Sequence, residues 1–175
     1  MTSIYVDATT VIALGTVGEL ELLTAFDGEC IILLSVQAEV TTEPARTNLT
    51  QLCDQDHVAS TPNVPINDDQ AMEILDESQS SGDVAIIGAV LAHRTTDTPV
   101  AVVSDDQRVR TVARGFNADV TGTIGTIVRA VEESMPEDEA KAIVRRIDEH
   151  GLHMTADLRT KAEELIETAA SEDSR

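Results

Sequence analysis

Ser3-Ile-Tyr-Val6, then Asp7-Ala-Thr-Thr10, then Val11-Ile-Ala-Leu-Gly15 is the stretch on which the fold turns. Four β-type residues predict a short strand, an acid follows at once, and a helix then begins over Val11–Leu14 that Gly15 can end. Strand, acid, helix is the opening of a β–α unit, and the chain repeats it. Cys30-Ile-Ile-Leu-Leu34 is a continuous apolar run suited to a strand buried on both faces. Ser35 is placed to cap a helix that carries Val36, Glu39 and Val40. Pro99-Val-Ala-Val-Val103 reads as another fully buried strand, ending in Ser104-Asp105-Asp106, and Ala118-Asp-Val120 as a shorter one.

Helices fill the intervals. Gly18–Phe26 reads as a second short amphipathic helix, and the polar stretch from Thr41 to Leu52 as helical in part. His57–Asn67, with Pro62 and Pro65, is the least regular region. Asn67 or Asp68 can cap a helix through Ala71, Ile74 and Leu75, which Ser80-Ser-Gly82 breaks. Asp83 opens a strongly apolar helix to Ala92, and Val109, Val112 and Ala113 form the inner face of another that stops at Gly115. Further helices are expected over Thr126–Glu133, from Pro136 to Gly151, and from Ala156 to Ala170 behind the cap Thr155, with Ser171 onward frayed. Apolar strands alternating with amphipathic helices predict an α/β three-layer sandwich around a mainly parallel central sheet. The expected organisation is one domain: residues 1–135 form the body, and 136–175 a helical extension packed on it.

Twelve Lys and Arg against thirty-two Asp and Glu give a formal charge of −20, and only Lys141 and Lys161 are lysines. Such an acidic, Lys-poor but foldable chain has the composition of a salt-in halophile of haloarchaeal type. Molar salt shortens the Debye length to ~3 Å, so the acidity does not exclude a nucleic-acid partner. No apolar run approaches the roughly 18 residues needed to span a bilayer, and no basic region followed by an apolar stretch marks a secretory signal. A cytoplasmic, non-membrane protein is the expectation. Cys30 and Cys53 lack metal-ligand spacing and read as reduced structural thiols.

The informative feature is where the acids fall. In open parallel sheets, sites form beyond the carboxyl ends of the strands. Asp7 directly follows the first strand, and Asp105 and Asp106 directly follow the strand ending at Val103. If those strands are neighbours, three carboxylates converge on one crevice. Glu39, early in its helix, and Asp83, in the first turn of its own, can point at the same edge. Carboxylates packed so closely repel one another until a divalent cation neutralises them, and an all-oxygen set points to Mg²⁺ or Mn²⁺. Such an ion activates water and stabilises phosphate charge during in-line attack, which suggests phosphodiester hydrolysis. Each acid also has a plainer reading. Asp83 can be a favourable charge at a helix N-terminus, Asp105 or Asp106 a cap, and Glu39 a solvated helix-face residue. Order and placement, rather than any single acid, carry the inference.

Those same segments resemble the motifs of PIN domains. Ile4-Tyr-Val-Asp7 through Gly15, with Gly18-Glu-Leu-Glu-Leu-Leu23, is similar to the family's opening, and Leu34-Ser-Val-Gln-Ala-Glu39-Val to its second acidic motif. Ser81-Gly-Asp83 through Ala92 resembles the third, and Val103-Ser-Asp105-Asp106 through Ala113 the fourth. Val120-Thr-Gly-Thr-Ile-Gly125 and Gly151-Leu-His-Met-Thr155 look closest to a prokaryotic subgroup of VapC-like proteins. The resemblance implies metal-binding, catalytic acids at Asp7, Glu39, Asp83 and within the Asp105–Asp106 pair. The usual pattern of the fourth motif favours Asp106 with Ser104 as the hydroxyl, while Asp105 stays open. Asp83 stands where the subgroup often has Glu. Implied too are an Mg²⁺- or Mn²⁺-dependent ribonuclease, either the toxin of a VapBC-type toxin–antitoxin pair or an RNA-processing enzyme, with an antitoxin as possible partner and a homodimer as the expected assembly.

Residues Met1 to Ala45 contain no Lys or Arg, whereas Arg94, Arg108, Arg110 and Arg114 gather around the fourth motif. Arg108 and Arg110 flank the acids and can contact RNA phosphates; the plainer alternative is pairing with surface acids. A phosphoacceptor receiver domain needs a Lys after its last strand, which this chain lacks. A dehalogenase-type phosphatase would want an acid where Thr9 stands. The remaining rival is a catalytically silent PIN-fold interaction module, whose mark would be a lost acid; none is lost.

Overall fold

Five short strands, β1 (Ser3–Val6), β2 (Glu29–Ile31), β3 (Val58–Ala59), β4 (Val100–Val103) and β5 (Asp119–Thr121), form a single sheet in the order β3-β2-β1-β4-β5. Every pairing is parallel. Parallel neighbours need crossovers, and here helices supply them. They are α1 (Ala8–Thr16), α2 (Leu34–Glu39), α3 (Ala45–Cys53), α4 (Asp68–Leu75), α5 (Gly82–Thr96), α6 (Gln107–Gly115), α7 (Thr123–Glu132), α8 (Glu137–His150) and α9 (Ala156–Asp173), with a 3-10 turn over Leu20–Ala25. The computed structural model describes residues 1–150 and 154–173.

Helices on both sides explain why all four residues of β1 are buried, the polar Ser3 among them. Tyr5 is fully buried, so its hydroxyl needs an internal partner and meets His93 Nε2 at 3.0 Å. Burial, and then the charge of Glu29, push the Tyr5 phenol up to about 12. One layer groups α2, α4, α5 and α6; the other groups α1, α3 and α7 with the 3-10 turn. The C-terminal helices α8 and α9 pack on α7 and on each other, and α8 also reaches α1. They bury Ile143, Ile147 and Ile166 there, and each such side chain contributes roughly 1.5–3 kcal/mol.

The strand order places the topological reversal between β1 and β4. From β1 the chain runs outward to β2 and β3, then returns to the other flank of β1 for β4 and β5. Val6 lies opposite Val103, and Asp7 N–H donates to Val103 O at 2.9 Å. Asp7 and Ser104 therefore leave the sheet side by side, as the convergence of the acids requires.

Several boundaries differ from the sequence reading. The second strand ends at Ile31 rather than Leu34: Leu34 already begins α2 and is exposed. Leu33, not Ser35, is the N-cap, so Glu39 is the last residue of its helix rather than an early one. An apolar run alone does not say where backbone pairing stops. Gly15 does not end α1 but sits inside it, against Ala45 of α3, and the chain turns at Gly18 with φ +78°. The helix expected over Gly18–Phe26 is the 3-10 turn. Within the irregular His57–Asn67 stretch, Val58–Ala59 supplies the edge strand β3. Helix α7 begins at Thr123 instead of Thr126, and α9 continues to Asp173 instead of fraying after Ala170. The expected end of α8 at Gly151 and most of the Gly151–Thr155 motif lie outside the described residues.

A candidate acidic site at the switch point

Asp7 occupies the N-cap position of α1, yet its side chain makes no capping bond. Its carboxylate is 2% exposed and is held from two sides through one oxygen. Thr9 Oγ1 and Ser104 Oγ each donate to Asp7 Oδ2 at 2.7 Å. Burying a carboxylate is costly unless such donors pair with it. Ser104, itself fully buried, also accepts from Asp106 N at 3.0 Å. The Ser104 hydroxyl, which the fourth motif pairs with Asp106, lies inside the edge and links the two acids.

The adjacent aspartates part company. Asp106 is the N-cap of α6, and its Oδ1 accepts from Arg108 N at 2.8 Å and Val109 N at 3.0 Å, so one oxygen does the capping work. Asp105 engages both oxygens at the start of α7: Oδ1 accepts from Thr123 N at 2.9 Å, and Oδ2 from Thr123 Oγ1. Gly122 permits this approach, because a Cβ there would lie 2.4 Å from Asp105 Oδ1 and 2.6 Å from an Arg110 terminal nitrogen. Asp105 is thereby tied to the start of α7, whereas the charge of Asp106 reaches Asp83.

Asp83, in the first turn of α5, follows the cap Ser81, whose Oγ accepts from Val84 N at 3.2 Å. Glu39 is exposed, and its Oε1 accepts from Gly82 N at 2.6 Å. A residue with a Cβ at position 82 would crowd that same oxygen at 3.0 Å. The bond ties the end of α2 to the start of α5 and sets Glu39 beside Asp83. Burial raises the Asp83 carboxyl to about 6, reinforced by the charges of Asp7, Asp106 and Glu39 and opposed by Arg108. The charges of Asp7, Asp106 and Glu39, from three other elements, thus reach Asp83 across the switch point. Among the described residues, no three His, Cys, Asp or Glu side chains are drawn together as a ready-made cation cage; the four stand at Coulombic range.

Arg108 is the arginine that reaches this edge. Its Nη1 donates to Leu75 O at 3.1 Å, and its Nη2 lies 2.6 Å from Glu77 Oε1 and 3.6 Å from Asp83 Oδ2. Arg110 turns toward the α7 side and donates to Ser104 O at 3.0 Å. Arg94 stacks 5.3 Å over the Phe116 ring, near the start of β4, and Arg114 sits exposed in the last turn of α6. Clustering in sequence did not become clustering in space, because residues on α6 two apart face different ways. Thr9, Glu77, Gly82 and Thr123 were not singled out from sequence. Thr9 and Thr123 do lie within quoted motifs, but nothing local says which acid a hydroxyl will meet.

A family model described as a PIN domain matches residues 3–168, from β1 well into α9. No curated protein matches the chain. With that match running over nearly the whole length, and with an all-parallel sheet whose acids meet at its switch point, the chain belongs to the PIN domain family.

Proposed function

We propose that the protein is a metal-dependent endoribonuclease in which Asp7, Glu39, Asp83 and Asp106 hold one or two Mg²⁺ or Mn²⁺ ions. The observation that carries this reading is the placement of Asp7, Asp83 and Asp106 at the starts of α1, α5 and α6 with Glu39 bonded to the start of α5, an arrangement that raises the proton affinity of Asp83. Burial together with three neighbouring carboxylates makes its charge unfavourable, and a cation relieves that. The donors are all hard oxygens, which suit Mg²⁺ or Mn²⁺ better than softer ions. Asp105, with both oxygens on Thr123, serves the site as a positioning residue.

A bound divalent ion supplies activation of water and neutralisation of phosphate charge. The chain's own residues do the rest. Ser104 and Thr9 orient the Asp7 carboxylate, Glu39 anchors the start of α5 beside Asp83, and Arg108 contacts a phosphate oxygen from the α4 side. Water attacks phosphorus, and the P–O bond to the leaving oxygen breaks as that oxygen takes up a proton. The decisive experiment is Asp7→Asn: Mn²⁺-dependent cleavage of single-stranded RNA is lost while thermal unfolding stays cooperative. Undiminished cleavage by this variant sinks the reading.

The resemblance to VapC-like proteins supports a toxin of a toxin–antitoxin pair, with RNA processing as the second role, and supports a homodimer. Among the described residues no helix is long and apolar enough to cross a membrane. A cytoplasmic site of action fits an RNA substrate. The acidic, Lys-poor composition supports a halophilic source.

A further inference from the structure

The acidic edge continues beyond Asp7. Thr9, which donates to Asp7, also forms one end of a groove of about 430 Å³ between α1 and α8. That lies within the roughly 300–1,000 Å³ typical of small-molecule sites. Ile12, Ala13, Val17 and Ile147 line its walls, and His150 and Glu43 stand on its rim. Among the described residues the lining includes neither Lys nor Arg, so it offers a phosphate no cation and suits an uncharged group.

The rim has a definite polarity. His150 Nδ1 lies 2.8 Å from Arg146 O. A carbonyl only accepts, so Nδ1 carries the proton, and in the neutral ring Nε2 is left as an acceptor. Thr16 spends its hydroxyl proton on Ile12 O at 2.7 Å, leaving lone pairs. Glu43 is held by Arg46 Nε at 3.0 Å and Thr47 N at 3.2 Å, with acceptor capacity remaining on both oxygens. Apolar walls and a rim of acceptors match a nucleobase that offers amino hydrogens, as adenine, cytosine and guanine do and uracil does not. Proteins read unpaired RNA bases in this way, by hydrogen bonds to their exposed edges.

We infer that this groove is a nucleobase subsite that seats the base next to the scissile phosphate and favours amino-bearing bases. The inference rests on the ribonuclease reading for its role, but its test does not require cleavage. Adenosine 5′-monophosphate, uridine 5′-monophosphate and ribose 5-phosphate are titrated into the protein and followed by NMR at Thr16 and His150. Adenosine monophosphate should bind about tenfold or more tightly than ribose phosphate, with uridine monophosphate between them. Thr16→Phe, which fills the groove from a partly exposed position, should erase that difference and leave Mn²⁺ affinity unchanged. Ile12→Phe, on the same wall, serves if Thr16→Phe does not fold. Equal binding of adenosine monophosphate and ribose phosphate by the parent overturns the subsite. So does a base-dependent difference that survives in a folded, filled variant. A parent that binds the base in the groove but cuts no RNA removes the ribonuclease reading and keeps the subsite. One that cuts RNA without base-dependent binding does the reverse.

Discussion

Ser104 Oγ lies 2.7 Å from Asp7 Oδ2, joining residues 97 apart in sequence, and the same oxygen accepts the Asp106 N–H at 3.0 Å. One buried hydroxyl therefore links the acid after β1 to the acid after β4. Its proton goes to the carboxylate and its lone pair to the backbone, so neither acid can shift without breaking a buried bond.

Ser104→Ala removes both bonds at once. Hydrogen bonds to a charged group contribute about 1.5–3 kcal/mol, and urea unfolding should show a loss of that order. Mn²⁺-dependent RNA cleavage should fall together with it. Parental stability in this variant would contradict the described hydroxyl geometry.

The pH dependence of Asp83 has a definite sign. Its carboxyl titrates at about 6 in the folded protein, against roughly 3.9 when unfolded. Between those values the folded state keeps a proton that the unfolded state has released. Its contribution to stability is therefore full below about pH 4 and is lost as pH rises through about 6. In metal-free buffer, Asp83→Asn should cancel a pH-dependent loss on the order of 2 kcal/mol. The check is the difference between parent and variant unfolding free energies from pH 4 to 7; a flat difference rejects it.

The two adjacent aspartates should separate by experiment. Asp106→Ser keeps a capping oxygen for α6, so stability should change by under about 1 kcal/mol while Mn²⁺ affinity drops at least about tenfold. Asp105→Ala leaves the start of α7 without its acceptor and should cost about 1–2 kcal/mol, with Mn²⁺ affinity nearly unchanged. Calorimetric Mn²⁺ titration of both variants decides, and the reverse pattern would exchange their roles.

Arg108→Gln should weaken binding of single-stranded RNA in an Asp7→Asn background that cannot cut it. The slope of log affinity against log salt should shrink by about 0.7, the value for one phosphate contact on a single strand. An unchanged slope would confine Arg108 to its pairing with Glu77.

Salt should stabilise the chain. With a formal charge of −20, screening relieves self-repulsion, and Tm should climb as KCl rises from about 0.1 to about 1 M. A Tm insensitive to KCl removes the halophilic reading.

Strand positions were legible because a sheet covered on both faces needs continuous apolar runs, and Ile4–Val6 and Val100–Val103 supply them. The placement of Asp7, Asp83 and the Asp105–Asp106 pair was legible for a related reason: each sits where a strand ends or a helix begins, and turn chemistry is local. Helix ends were less so. Leu34 begins a helix although it closes an apolar run, since its exposure follows from where β2 loses its partners. The sequence by itself determined most of the elements, though not β3, together with a mainly parallel sheet and acids at strand ends and helix starts, because those depend on neighbours a few residues away. Only the tertiary structure decided that β1 pairs with β4, that Ser104 is internal, that Arg108 and not Arg110 meets Asp83, and that Thr123 bonds Asp105. Each of these is a contact between distant segments, settled by the direction in which a side chain leaves its own helix or strand.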